Sequence, residues 1–342
     1  MCLSYSAASM ARMLGHRFVV TSIVAGVCLC AALASGCTGA DVTEASNTGV
    51  LTTGATGSTG ASVPTGGTSG PTGGTSGPTG GTSGPMGETS TSPEKIPRTF
   101  DPKNFGASLT DVNPWVPMVP GIQSVMEGFV NVGDRRLPHI RVTTITDVTK
   151  VIDGVRAVLV LDQDFNGGQL SEQAIDYLAE DEGGNVWYVG SYTEAYEGGQ
   201  FLNAEDAWLA GVNGAIPGLY MPANPKTGTP PYYQTSIPGG EQSTAQVVEV
   251  GQETCVPFKC YTDVVVIQEQ GTENKYWAPG VGGILTEPLS SVAQETEELV
   301  NIKQLSAEAL AELSAEALRL DQNAVVRVPS VFGGSKPAQR GI

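Results

Sequence analysis

Between positions 139 and 285 the chain is a succession of short runs rich in β-branched residues, each bounded by turn formers. HIRVTTITDV (139–148) and GVRAVLVLDQD (154–164) are punctuated by Asp-Gly, and QLSEQAIDYLAED (169–181) and NVWYVGSY (185–192) by Glu182-Gly183-Gly184. STAQVVEVGQ (243–252), YTDVVVIQEQ (261–270) and NKYWAPGVGGIL (274–285) continue the series. Strands at this spacing, joined by tight turns, predict a mainly β fold: an antiparallel meander forming a strongly curved sheet or half-barrel. The stretch from Leu209 to Gly240, dense in Pro and Gly, is expected to be a long loop with short strands.

One amphipathic helix is expected near the C-terminus. In LSAEALAELSAEALRLDQ (305–322), Ser306 is positioned as an N-cap. Leu310, Leu313, Ala317 and Leu320 fall on one face at helical spacing. The expected role of this helix is to cover the sheet or an open barrel end.

The other end of the chain carries an address. The first 36 residues contain Arg12 and Arg17 and no acid, and an apolar run from Phe18 leads to the small residues of Leu33-Ala34-Ser35-Gly36 before Cys37. A basic start, an apolar middle and a small-residue exit describe a secretory signal. The segment ending at Cys37 resembles a bacterial lipobox. That resemblance implies lipidation of the Cys37 sulfur and cleavage after Gly36, with acyl chains holding the chain to the membrane. From Thr38 to about Pro93 the composition is almost wholly Thr, Gly, Ser, Ala and Pro, with three copies of PTGGTSG. Such a tract cannot bury enough apolar area to offset the entropy of ordering, and a coil of this length spans about 40 Å. The expected division is therefore a signal peptide (1–36), a disordered tether (37–93), a β-rich domain (94–300) and a helical tail packing on it (301–342).

Charge narrows the partners. Two of the 18 basic residues lie in the leader and none of the 35 acids does, which leaves the mature chain at −19. That surface repels nucleic acid. The expected partners are the membrane, through Cys37, and a hydrophobic ligand or an envelope protein.

Catalytic signatures are sparse. The mature chain has one histidine, His139, expected on the surface at the start of a strand, and neither GxSxG nor HExxH occurs. Asp162-Gln-Asp164-Phe-Asn166-Gly167 imitates the start of a calcium loop, but its twelfth position is Gln173, so a hairpin turn is expected. Asp176, Glu180, Glu205 and Asp206 are carboxylates that could serve glycoside hydrolysis, yet no spacing singles out a pair. No catalytic residue, metal ligand or cofactor is assigned. Cys255 and Cys260 bracket a four-residue turn between strands in an exported chain, which favours a disulfide. Trp187, Tyr188, Trp208, Tyr276 and Trp277 are candidates to line a ligand pocket, since curved sheets and barrel mouths form such cavities.

Three segments together carry a family resemblance: DEGGNVWYVGSYTEAYEGG (181–199), AGVNGAIPGLYMPANPKTGTPPYYQ (210–234) and KYWAPGVGGI (275–284). They resemble uncharacterised exported bacterial lipoproteins with segments of the form GNVWYxG, GAxPGxxMPxxP and KYxAPGVG. NPWVPMVPG (113–121) is similar to the first strand of that family. The resemblance implies a β-rich fold in the cell envelope and brings no activity or site residues; the Cys255/Cys260 pair departs from the family pattern. The expected function is a membrane-anchored, non-enzymatic binding module. The alternatives are a carboxylate-dependent hydrolase of envelope glycans and a structural surface protein.

Overall fold

The structure is a computed structural model that describes residues 99–106, 112–240, 242–289 and 295–341. The expected signal peptide, Cys37 and the expected tether lie outside the described residues.

Four long antiparallel strands open the domain: β1 (Ile122–Val132), β2 (Arg135–Ile152), β3 (Val155–Asn166) and β4 (Gln169–Glu180). The β2–β3 turn is Asp153-Gly154, with φ of 46° and 85°. Both values lie in the left-handed region that two-residue hairpin turns require. After β5 (Val186–Glu197) come four shorter strands: β6 (Gln200–Asn203), β7 (Ala207–Leu209), β8 (Ile216–Met221) and β9 (Tyr232–Ser236). Next are β10 (Gln242–Cys255), β11 (Cys260–Glu269), β12 (Glu273–Ala278), β13 (Gly282–Pro288) and β14 (Glu295–Gln304). The chain ends in α1 (Ala307–Arg327), α2 (Pro329–Phe332) and β15 (Gln339–Arg340).

The order β1-β14-β13-β12-β11-β10-β9-β8-β5-β4-β3-β2 is hydrogen-bonded throughout, and β1 also pairs with β2. The meander thus closes into an antiparallel twelve-strand barrel. Closure removes the two exposed sheet edges that an open meander would present. β14 makes this closure possible. It occupies residues that partly fall in the expected helical tail, which begins at 305 rather than 301.

Residues 113–121 are not the first strand. They form an irregular strap across one end of the barrel, and β1 starts only at Ile122. The Glu180 carboxylate accepts from the Val112 and Asn113 amides, and Asn113 Nδ2 donates to the Gly184 carbonyl at 2.8 Å. Farther round the ring, Trp115 Nε1 donates to the Asp263 carbonyl and the Gly280 amide to that of Pro114. Pro114, Pro117, Pro120 and Gly121 disfavour a strand there. At the same end the β10–β11 hairpin tip reaches β14, where the Phe258 amide donates to the Leu299 carbonyl at 3.1 Å. Cys255 and Cys260 pair directly at the base of this tip and are joined as a disulfide.

Helix α1 lies on the outer face of β2–β5, so these strands are buried on both faces. This accounts for the nearly unbroken burial along β3 and β4 and for the apolar run of β3. Ser306 caps the helix, its Oγ accepting from the Ala309 amide at 3.2 Å. The buried stripe is Ser314, Ala317, Leu320, Asp321 and Ala324, not one that starts at Leu310. The stripe is displaced because the helix docks through polar partners that β2 provides. No helix among the described residues is long and apolar enough to cross a membrane.

The C-terminal β15 is fastened to β2 by an ion pair between Arg340 and Asp147. The Arg340 guanidinium holds the Asp147 carboxyl below its ordinary value of 3.8. A depressed folded value means that this stabilisation is complete above the unfolded value and is lost as pH falls through the folded one. The Gly341 amide, which donates to the Asp147 carbonyl at 2.8 Å, should lose exchange protection below about pH 4. Arg340→Gln should abolish that acid dependence; unchanged protection down to pH 2 in the wild type would refute the latch.

Candidate functional site

Successive strand residues alternate faces, so each strand of a closed barrel sends every second side chain into the lumen. Residues directly opposite across a ladder share a face, and Asp176, Ser191 and Trp208 make one such row across β4, β5 and β7. The Tyr188 and Ser191 hydroxyls donate to Asp176 Oδ1 at 2.6 and 2.9 Å. The Tyr188 ring meets Trp208 at 5.3 Å and Tyr220 at 5.9 Å, and Tyr220 meets Trp277 at 5.5 Å, all tilted or edge-on. Trp277 is on β12, with β8–β11 between it and β5, so this aromatic wall crosses the lumen.

A polar set lies beside the wall. Glu269 accepts from Gln234 Nε2 at 2.9 Å and pairs with Lys275 Nζ at 3.0 Å, and Lys275 also reaches Glu273 at 3.3 Å. Burial works against the Lys275 charge, but Glu269 and Glu273 outweigh it and hold the ammonium protonated. Lys275 and Trp277 are two residues apart and so share a face. Tyr232 sits opposite Ala245, which sits opposite Glu269, so it belongs to the same patch. Burial raises the Tyr220 and Tyr232 hydroxyls, which stay neutral donors. Trp277, Tyr232 and Gln234 are 8%, 5% and 2% exposed, yet Trp277 Nε1, the Tyr232 hydroxyl and Gln234 Oε1 meet no hydrogen-bond partner among the described residues. Leaving such an atom buried and unpaired costs about 1–3 kcal/mol, so three in one patch mark a place built for a partner.

Toward the opposite end from the strap lies a second cluster. His139 is only 4% exposed, which corrects the expectation of a surface residue. Its position faces inward because β2 lies within a closed ring, whereas an open edge would have left the residue solvated. His139 Nδ1 lies 2.7 Å from Asn166 Oδ1, while Nε2 faces Glu297 at 3.1 Å, Glu295 at 3.4 Å and Asp164 at 3.8 Å. Arg141 pairs with the other oxygen of Glu297, which also accepts from Thr286 Oγ1. Burial by itself depresses the His139 ring, but Glu295 and Glu297 reverse this and push it up to about 11. Burial raises the Glu297 carboxyl; Arg141 opposes the rise and Glu295 adds to it. For Glu295, His139 outweighs the effect of burial and keeps the group ionised.

Of the five proposed pocket residues, Tyr188, Trp208 and Trp277 face the lumen. Trp187 is on the outer face, its ring 5.4 Å from Phe100 and its Nε1 donating to Asp181. Tyr276 also faces outward, its hydroxyl on Glu287. The four candidate carboxylates do not assemble: Asp176 is in the lumen, Glu180 holds the strap, and Glu205 and Asp206 are exposed. Asp162 and Asp164 extend strand β3, and Gly167-Gly168 forms its turn. Sequence reasoning missed Gln234, Glu269, Lys275 and the inward cluster around His139. One signal was available: Asp162/Asp164 and Glu295/Glu297 are acids two residues apart, which a strand places on one face.

No protein-family model and no curated protein matches the chain in sequence. Among solved structures it is similar to one described as a "putative lipoprotein" from Parabacteroides distasonis, at 10% identity and a TM-score of 0.30, covering 57% of this chain and 100% of that one. In the fold, segment 181–199 is the β4–β5 turn with β5, segment 210–234 runs through β8 into β9, and segment 275–284 is the β12–β13 hairpin.

Proposed function

We propose that this chain is an envelope lipoprotein, anchored through Cys37 and extended on its tether, whose barrel is a non-enzymatic binding module for a small ligand. The carrying observation is the patch of unpartnered buried atoms, Trp277 Nε1, Tyr232 hydroxyl and Gln234 Oε1, beside the aromatic wall. A ligand suited to it has an apolar face for the rings and a hydrogen-bonding edge for those three atoms. Acids outnumber bases on the lumen face, with Asp162, Asp164, Asp176, Glu269 and Glu297 against Arg141 and Lys275. That balance favours a neutral or cationic ligand over an anionic one.

Two measurements test this reading. Cys37→Ser should move the protein from the membrane to the soluble extracytoplasmic fraction; unchanged partitioning defeats the anchor. Native mass spectrometry of wild type purified without denaturation should show a bound small molecule, and Trp277→Phe combined with Tyr232→Phe should lose it. A wild-type mass equal to the bare chain, or retention of the molecule by the double variant, defeats the lumen reading.

A further inference from the structure

We propose that His139, Asp164, Glu295 and Glu297 form a site for a divalent transition-metal cation of the Zn²⁺ type, separate from the ligand patch. Three strands build it: β2 brings His139, its hairpin partner β3 brings Asp164, and the sequence-distant β14 brings the two glutamates, with His139 and Glu297 158 residues apart.

The first support is spacing. Bonds of about 2.0–2.2 Å arranged tetrahedrally place ligand atoms about 3.3–3.6 Å apart. His139 Nε2 lies 3.1, 3.4 and 3.8 Å from Glu297, Glu295 and Asp164. One ligand atom each from His139, Asp164 and Glu297 lies within 4.8 Å of the others.

The second support is the orientation of the ring. Asn166 Oδ1, 2.7 Å away, accepts from Nδ1–H of the imidazole. Metal-binding histidines are held in this way, with the nitrogen remote from the metal donating to an oxygen. A cation that displaces the Nε2 proton meets a lone pair directed at three carboxylates and takes over the positive charge that the imidazolium supplied there.

The third support is charge and shape around the carboxylates. Arg141 and Thr286 occupy Glu297 Oε2, while Oε1 is the oxygen that faces Nε2. Arg141 offsets one of the three carboxylates, and a divalent cation offsets the other two. A mixed imidazole and carboxylate set suits Zn²⁺, whereas Ca²⁺ requires more oxygens. The side chain of Glu295 is 20% exposed, which gives the cation a way in.

The test uses the full chain extracted in mild detergent, stripped with chelator and titrated with ZnCl₂ by calorimetry. One Zn²⁺ per chain is expected. His139→Gln and Glu297→Gln should each weaken binding at least about 100-fold, and Asn166→Ala about 10-fold. Unaltered affinity in both ligand variants, or no stoichiometric binding by wild type, overturns the site. A measurement on wild type alone guards against variants that fail to fold. Beyond the leader, His139 is the only histidine, so Co²⁺ loading should produce hyperfine-shifted imidazole proton signals from that ring. Their absence at full Co²⁺ occupancy also overturns the proposal.

Discussion

Asp321→Ala should lower the unfolding free energy of the barrel by about 3–5 kcal/mol, the cost of stranding a buried charge. Asp321 lies on the buried stripe of α1, and its Oδ1 accepts from Lys150 Nζ at 2.7 Å and the Tyr177 hydroxyl at 2.9 Å. Its Oδ2 accepts from the Ala338 amide at 3.0 Å, so one carboxylate joins β2, β4 and the segment leading to β15. The Lys150 side chain is 0% exposed and lies 5.8 Å from the Phe332 ring centroid, with no route to water. Removing the carboxylate leaves that ammonium, the phenol and the amide unsatisfied together. In the wild type, burial and then the Asp321 charge push the Tyr177 hydroxyl well up, so it is a neutral donor to that carboxylate. The apparent melting temperature should fall by about 10 °C, at 2–4 °C per kcal/mol for a domain of this size. Lys150→Met combined with Asp321→Leu should recover the part of the loss due to the stranded ammonium, leaving only the cost of the unpaired Tyr177 hydroxyl and Ala338 amide. A single variant within 1 kcal/mol of wild type by urea denaturation would show that the helix does not depend on this contact.

The same contact explains one limit of the sequence reading. A stripe of leucines at 310, 313 and 320 marked α1 as amphipathic, and its N-cap at Ser306 was legible from local chemistry. The true docking face is turned toward Ser314 and Asp321, and only the position of Lys150 on β2 dictates that turn. Strands β2–β5 and β10–β13 were visible because their β-branched runs and turns are local. Strand β14 was not: ETEELVNIKQ carries three glutamates in four positions after Thr296 is included, a composition that resembles a solvated segment. Glu297 is nevertheless 0% exposed, because His139 and Arg141 await it across the seam. For the same reason the site was only half legible. Aromatic clustering pointed to the lumen wall, but alternation alone could not say which of Trp187 and Tyr188 faces inward until the ring had closed. Nothing local to His139 announces three carboxylates from two other strands.

Gly128→Ala tests that closure and the cation cluster together. Gly128 is the β1 residue paired on one side with His139 of β2 and on the other with Glu297 of β14. Members of a cross-strand row share a face, so a bare middle position leaves His139 and Glu297 free to meet above β1, with Nε2 and Oε1 3.1 Å apart. The β14 backbone also crowds this point: a Cβ on Gly128 would lie 1.7 Å from the Thr296 carbonyl oxygen and 3.0 Å from the Glu297 Cα. Neither obstacle is a flexible side chain, so one of the two strands must move. Overpacking against side chains costs about 1–3 kcal/mol, and a backbone obstacle places this substitution at or above the upper figure. The displaced strand is the one that carries both glutamates, so the methyl group should also reduce Zn²⁺ affinity although it removes no ligand. By contrast, Gly133→Ala, on the β1–β2 turn with nothing within 4 Å of its Cβ, pays only the strain of its φ of 59° and should leave Zn²⁺ binding at the wild-type value. Wild-type stability and wild-type Zn²⁺ affinity in Gly128→Ala would mean that β1 does not seal the barrel against β14 at this row.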